Sequence, residues 1–128
     1  MEQINLRDTI IDAILDKKGN DVVCLDLREV PEAIADFFII CHGDSNTQVS
    51  AIADNISDKV HKNLKQKPNY VEGYNNLEWV LLDYIDIVAH VFYRETRYKY
   101  QLEELWNDAK LSRHGDVENI VQVKSSNL

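Results

Sequence analysis

Gly43-Asp44-Ser45 follows an apolar run and precedes a strongly amphipathic stretch, where free backbone N–H groups at a helix start can hold an anion. A phosphate loop would need spaced glycines and a lysine, which this stretch lacks, and Asp44 would repel the ligand. Helix capping is the better assignment. Asp83 and Asp86 are the second possibility, since two carboxylates on neighbouring strands can chelate magnesium for phosphoryl transfer. Asp83, however, ends an extended run and Asp86 falls in the turn after it, where carboxylates cap or stay solvated. His90 alternates with Val88 and Phe92 on one face of a strand, with Ile87, Ala89, Val91 and Tyr93 on the other, and has no nucleophile beside it. Cys41 and His42 are neighbours in an extended run, so they point to opposite faces and cannot cooperate. His61 and His114 lie in polar segments, and no Cys/His spacing suits zinc. The expectation is no catalytic set, no metal and no cofactor.

A binding surface is better supported by residue type. Arg97, Tyr100 and Glu104 follow i, i+3, i+7 spacing on a helical stretch, away from its apolar stripe. Trp79, Leu81 and Asp83 alternate onto one face of a strand. Aromatic residues and arginine among carboxylates are what binding hot spots use. The competing reading is that Trp79 and Tyr100 help to close the core, and the residues alone leave both open.

The elements that position these residues can be read from periodicity. A first helix is predicted over 4–18, with Asn5 as N-cap and Lys17-Lys18-Gly19 as its stop. Val22–Leu27 reads as a strand, and Asp36-Phe-Phe-Ile-Ile-Cys41 as a central strand covered on both faces. Ser45 and Gln48 form a capping box for a second helix, whose stripe is Val49, Ile52, Ala53, Ile56, Val60 and Leu64 and which ends near Lys67-Pro68. A short strand over 70–76 leads to Trp79–Tyr84 and Ile87–Tyr93, two runs close enough to form an antiparallel hairpin. A third helix is predicted from Glu95 or Thr96 to Leu111, with Tyr98, Leu102, Leu105 and Ala109 inside and Trp106 beside them. The result is one α/β domain over 1–111, a mixed sheet of about five strands packed by helices, and a flexible tail over 112–128.

With 128 residues and 45% hydrophobic content, the chain can bury one sizeable core. Its formal charge of -8 favours basic partners over nucleic-acid phosphate. It has no apolar run long enough to span a bilayer and no signal-peptide pattern, so the expected location is the cytoplasm, with no membrane or DNA partner. Cys24 and Cys41 sit in apolar runs and are expected as buried free thiols.

Three segments carry a resemblance to a known family. They are Trp79-Val-Leu-Leu-Asp83, Asp86-Ile-Val-Ala-His90-Val-Phe, and Glu95-Thr-Arg97-Tyr-Lys-Tyr100-Gln-Leu-Glu-Glu-Leu-Trp106. With Asp36-Phe-Phe-Ile-Ile-Cys-His-Gly43, Ile52-Ala-Asp54 and Glu72-Gly73 before them, this ordered pattern resembles the ribosomal silencing factor (Iojap-like) family over residues 4–111. The resemblance implies a nucleotidyltransferase-like α/β fold. It also implies binding to a basic ribosomal protein, the fourteenth of the large subunit, at the inter-subunit face, which blocks joining of the small subunit and lowers translation when nutrients are scarce. Family members also act in large-subunit assembly.

On this reading Trp79 and Tyr100 are aromatic anchors, Asp83 and Glu104 meet basic side chains, and Arg97 and His90 orient them. A homodimer through the same face is the competing use of that surface. A magnesium-dependent nucleotidyltransferase-like enzyme is the alternative activity, but no Asp-x-Asp follows Gly43 and Ser45 on a strand. The chain departs from the family at Ala35, where threonine is common, and at Ile85, where glycine is. A β-branched residue resists the positive φ of a tight hairpin turn, so a longer or different loop is expected around Ile85 and Asp86.

Overall fold

Two long helices cover one face of a six-stranded mixed sheet, and the connection after the first strand and short segments late in the chain partly cover the other. The computed structural model describes residues 2–115. The elements are α1 (Glu2–Asp16), β1 (Asn20–Asp26), β2 (Phe37–Gly43), α2 (Asn46–Leu64), β3 (Tyr70–Glu72), β4 (Trp79–Asp83), β5 (Ile87–Tyr93), α3 (Arg94–Tyr100), α4 (Leu102–Leu105) and β6 (Lys110–His114). The strand order is β3-β4-β5-β2-β1-β6. The central β2–β5 pair is parallel, and the other pairs are antiparallel. A parallel pair needs a long crossover, and the route from β2 to β5 through α2 supplies it. Among the described residues no helix is long and apolar enough to cross a membrane.

Every residue of β2 is buried, and β5 is buried up to Tyr93, as the apolar run from Phe37 to Cys41 predicts. Alternation divides the core in two. Phe37, Ile39, Cys41, Ile87, Ala89 and Val91 pack against Ile10 and Ile14 of α1 and Val49, Ile52, Ile56 and Val60 of α2. Phe38, Ile40, Val88 and Phe92 point the other way, into a smaller cluster with Leu25, Leu27 and Leu102. Cys24 and Cys41 are buried free thiols, as expected.

Ser45 caps α2, its hydroxyl accepting the Gln48 N–H at 3.1 Å. The reciprocal half of the capping box goes elsewhere. Gln48 Oε1 accepts the Asp44 N–H at 2.8 Å, and Nε2 donates to the carbonyls of Lys17 and Lys18 at 3.2 and 3.0 Å. One amide thus satisfies the start of α2 and the end of α1 together. The helix α2 stops at Leu64, before Lys67, because Lys65 takes a left-handed φ of 59°. The helix α1 starts by Glu2, so Asn5 lies inside it and is not its cap. Gly19 is required by space, since a Cβ there would lie 2.3 Å from Ile14 Cγ2.

The third helix is shorter than predicted. It breaks at Gln101, which adopts φ 49°, and Leu102–Leu105 restarts in a new phase. The expected inner stripe therefore scatters. Leu102 is buried and Ala109 packs on the smaller cluster, while Tyr98 and Leu105 are exposed. After α4 the chain returns as β6, a sixth strand against β1. The predicted boundary at 111 cuts this strand, and the predicted tail beyond 115 lies outside the described residues.

The β4–β5 turn overturns a second expectation, because Ile85 does take a positive φ, 76°. Asp83 Oδ1 accepts the Ile85 N–H at 2.7 Å, and the Tyr84 carbonyl accepts the Asp86 N–H at 3.0 Å across a three-residue turn. The Asp86 carbonyl in turn accepts N–H groups from Asp36 and Phe37, tying the turn to the start of β2. These bonds hold a β-branched residue where it is strained. The Ile85 side chain is 62% exposed and so contributes little burial in return. Replacing it with glycine (Ile85→Gly) should raise the unfolding free energy by about 1 kcal/mol. Urea denaturation would show this, with Ile85→Val as an unchanged control.

Candidate functional site

The sheet face turned away from α1 and α2 gathers a cluster of aromatic side chains around β4 and β5. Register sets Trp79 opposite Phe92, Leu81 opposite His90 and Asp83 opposite Val88. Trp79 is half-buried, and its ring stacks on Phe92 with centroids 4.7 Å apart and planes at 27°. Tyr100 leans against the indole, with centroids 5.1 Å apart and planes at 51°, and is 53% exposed. Beneath them the His90 ring meets Phe38 edge-on at 4.6 Å, and Phe38 meets Trp106 at 5.8 Å. Offset and edge-on contacts of this kind add to simple burial, so the layer is rigid beneath its exposed rim. Gly73 lets a neighbouring turn close on the Trp79 backbone, since at its φ of 100° a Cβ would lie 1.9 Å from the Trp79 carbonyl oxygen.

The predicted site residues divide into two groups. Trp79, Tyr100 and His90 come together in the aromatic cluster. Asp83 lies further along β4 on the same alternation, half-exposed, with one carboxylate oxygen engaged by the Ile85 N–H. Glu104 is exposed on α4. His90 and Arg97 are buried, at 4% and 3% exposure, and cannot form the surface contacts that an interface of six side chains would require of them.

Arg97 points inward because acceptors surround it. Its Nη1 donates to the Asp21 carbonyl at 2.7 Å and the Asn20 carbonyl at 3.3 Å, and lies 3.0 Å from His42 Nδ1. Nη2 meets Glu103 Oε2 at 2.9 Å, and Nε reaches the same oxygen at 3.3 Å. A buried guanidinium needs such pairing. The left-handed Gln101 is what turns the chain so that Glu103 comes back to it. Burial, helped by the Arg97 charge, lowers the His42 pKa.

His90 Nδ1 accepts the indole N–H of Trp79 at 3.1 Å. Its Nε2 has no hydrogen-bond partner among the described residues. Burial pushes the imidazole pKa down to about 3, so the ring is neutral. Asp44, one of the residues with chemical potential, pairs with Arg94 at 3.4 Å, and its N–H is taken by Gln48. The Gly43-Asp44-Ser45 loop therefore works as a helix cap. Among the described residues no three His, Cys, Asp or Glu side chains group in a way that could hold a metal ion.

Sequence reasoning placed Phe92 on the His90 face but missed Phe38 beneath it and the exposure of Leu105, which is 73%. Phe38 sits in a strand whose alternation could have assigned it to this face. The exposure of Leu105 had no sequence signal, because it follows from the break at Gln101.

Comparison with known proteins supplies the context for this face. A family model described as "Ribosomal silencing factor during starvation" matches residues 1–127. The protein named ribosomal silencing factor RsfS of Bacillus subtilis is 43% identical over 97 residues, which are 76% of this chain and 80% of that protein. Its namesake in Halalkalibacterium halodurans is 42% identical over 109 residues, covering 85% and 92% of the two chains. Among solved structures, a crystal structure of a Chromobacterium violaceum protein superposes with a TM-score of 0.78 at 34% identity, covering 84% of this chain and 88% of that one.

The neutral, buried His90 has a measurable consequence for stability. The unfolded imidazole binds a proton near its ordinary value of 6.5, whereas the folded one does so only near 3. Stability is then complete above the unfolded value and declines as the pH falls through this window, by about 1.4 kcal/mol per pH unit from this one group. Urea denaturation between about pH 6 and pH 4 should show a shallower slope for His90→Asn than for the native chain.

Proposed function

Because this chain belongs to the family of ribosomal silencing factors, we propose that it is a cytoplasmic, non-catalytic repressor of translation. It docks on a basic protein of the large ribosomal subunit at the inter-subunit face and excludes the small subunit by occupying that surface. The observation that carries this reading is the half-exposed Trp79–Tyr100 pair, held over a packed aromatic layer. A rigid aromatic pair loses little conformational entropy on binding and offers a large contact area, as interface hot spots do.

The acidic character of the chain, with a formal charge of -8, suits a basic partner. Asp83 and Glu104 are assigned to lysine or arginine side chains on that partner. Arg97 and His90 act from beneath the surface. Arg97 fixes the segment that carries Tyr100 and Glu104, and His90 lies under Trp79. A second copy of this chain is the competing occupant of the same face.

Co-sedimentation with isolated large and small subunits tests the proposal. The native chain should pellet with the large subunit alone and reduce subunit joining, and its binding should weaken as salt is raised. Trp79→Ala and Tyr100→Ala should each cost about 2 kcal/mol of affinity, or roughly thirtyfold in Kd. Failure to bind the large subunit at low salt would reject the reading.

A further inference from the structure

The geometry points to His90 as a positioning residue that fixes the docking rotamer of Trp79 through the indole N–H. This inference rests on the proposed docking role of Trp79. An indole nitrogen can only donate, so its bond to His90 Nδ1 at 3.1 Å requires a lone pair on that nitrogen and places the ring proton on Nε2. That proton has no acceptor among the described residues, although the ring is 4% exposed and wedged against Phe38.

A buried polar group with one unsatisfied atom is a poor choice for stability alone, and an apolar side chain would pack against Val88 and Phe92 without that penalty. What an apolar side chain could not do is accept the indole proton. Stacking on Phe92 limits the tilt of the indole but would equally accept the ring flipped by 180° about χ2, which exchanges its edges. The bond to His90 removes that freedom and decides which ring edge faces outward. It also occupies the indole N–H internally, so Trp79 meets its partner through carbon atoms, with no hydrogen bond given to it. His90 is thus a specificity device for an apolar socket on the partner, without touching the partner itself.

The test uses the full chain carrying His90→Leu, which removes the acceptor, and His90→Asn, whose side-chain oxygen can take the place of Nδ1. The chain has two tryptophans, so nitrogen-15 labelling gives two indole N–H resonances, and Trp106→Phe assigns them. In His90→Leu the Trp79 resonance should move and lose its protection from solvent exchange, while thermal unfolding stays cooperative. Large-subunit binding should then fall about tenfold. In His90→Asn both the resonance and the binding should return toward native behaviour.

A folded His90→Leu protein with an unchanged Trp79 resonance would overturn the inference, and so would full binding when the resonance has moved. If His90→Asn fails to fold, His90→Leu alone decides. Should the native chain not bind the large subunit, the docking proposal fails by itself, and the indole resonance still reports whether His90 holds Trp79.

Discussion

A guanidinium can be taken out of water only if its N–H groups find acceptors and its charge finds a counter-ion, and Arg97 meets both conditions through four residues of three elements. The carbonyls of Asn20 and Asp21 come from the start of β1, His42 from the end of β2, and the Glu103 carboxylate from α4. One side chain thus gathers the sheet, the short helix that carries it and the helix that follows. The second sheet face depends on this gathering, because α1 and α2 are both committed to the first. Without the clamp, α3 and α4 would be a loosely attached segment, and Tyr100 would have no fixed place beside Trp79.

The two faces of the sheet have different duties. The helix-covered face is dry and apolar, and it supplies most of the burial that stabilises the fold. The opposite face is only partly covered. Val23, Leu25, Ile40 and Val88 are closed in by Leu102 and by the connection between β1 and β2, whereas Trp79, Leu81 and Trp106 remain half-buried. A sheet face left unfinished in this way is suited to a partner. The acidic balance of the chain, with a formal charge of -8, adds a long-range attraction toward basic surfaces in general.

Polar groups on both sides of the sheet serve geometry. Asp83 holds the strained Ile85 turn, Gln48 joins two helix ends, Asp44 meets Arg94, and His90 meets Trp79. The residues that a chemist would first suspect of catalysis are therefore occupied as caps, clamps and supports.

The amino-acid sequence by itself determined the parts whose signal is complete within a few residues. The run from Phe37 to Cys41 marks a strand buried on both faces, Ser45 with the stripe through Val60 marks α2, and the closely spaced runs ending at Asp83 and beginning at Ile87 mark a hairpin. The motifs from Trp79 to Trp106 were also enough to indicate the family. Tertiary structure alone decided where the late segment bends and which of its residues face solvent. The i, i+3, i+7 spacing placed Arg97 on an outer face on the assumption of a continuous helix. The chain instead turns left-handed at Gln101, and Arg97 points inward to a carbonyl 76 positions away, at Asp21. Likewise β6 exists because β1 offers an unpaired edge, and Ile85 holds its positive φ because Asp83 and the start of β2 bond to its turn. Local periodicity carries the first kind of information, and long-range hydrogen bonds and burial, which override local preference, carry the second.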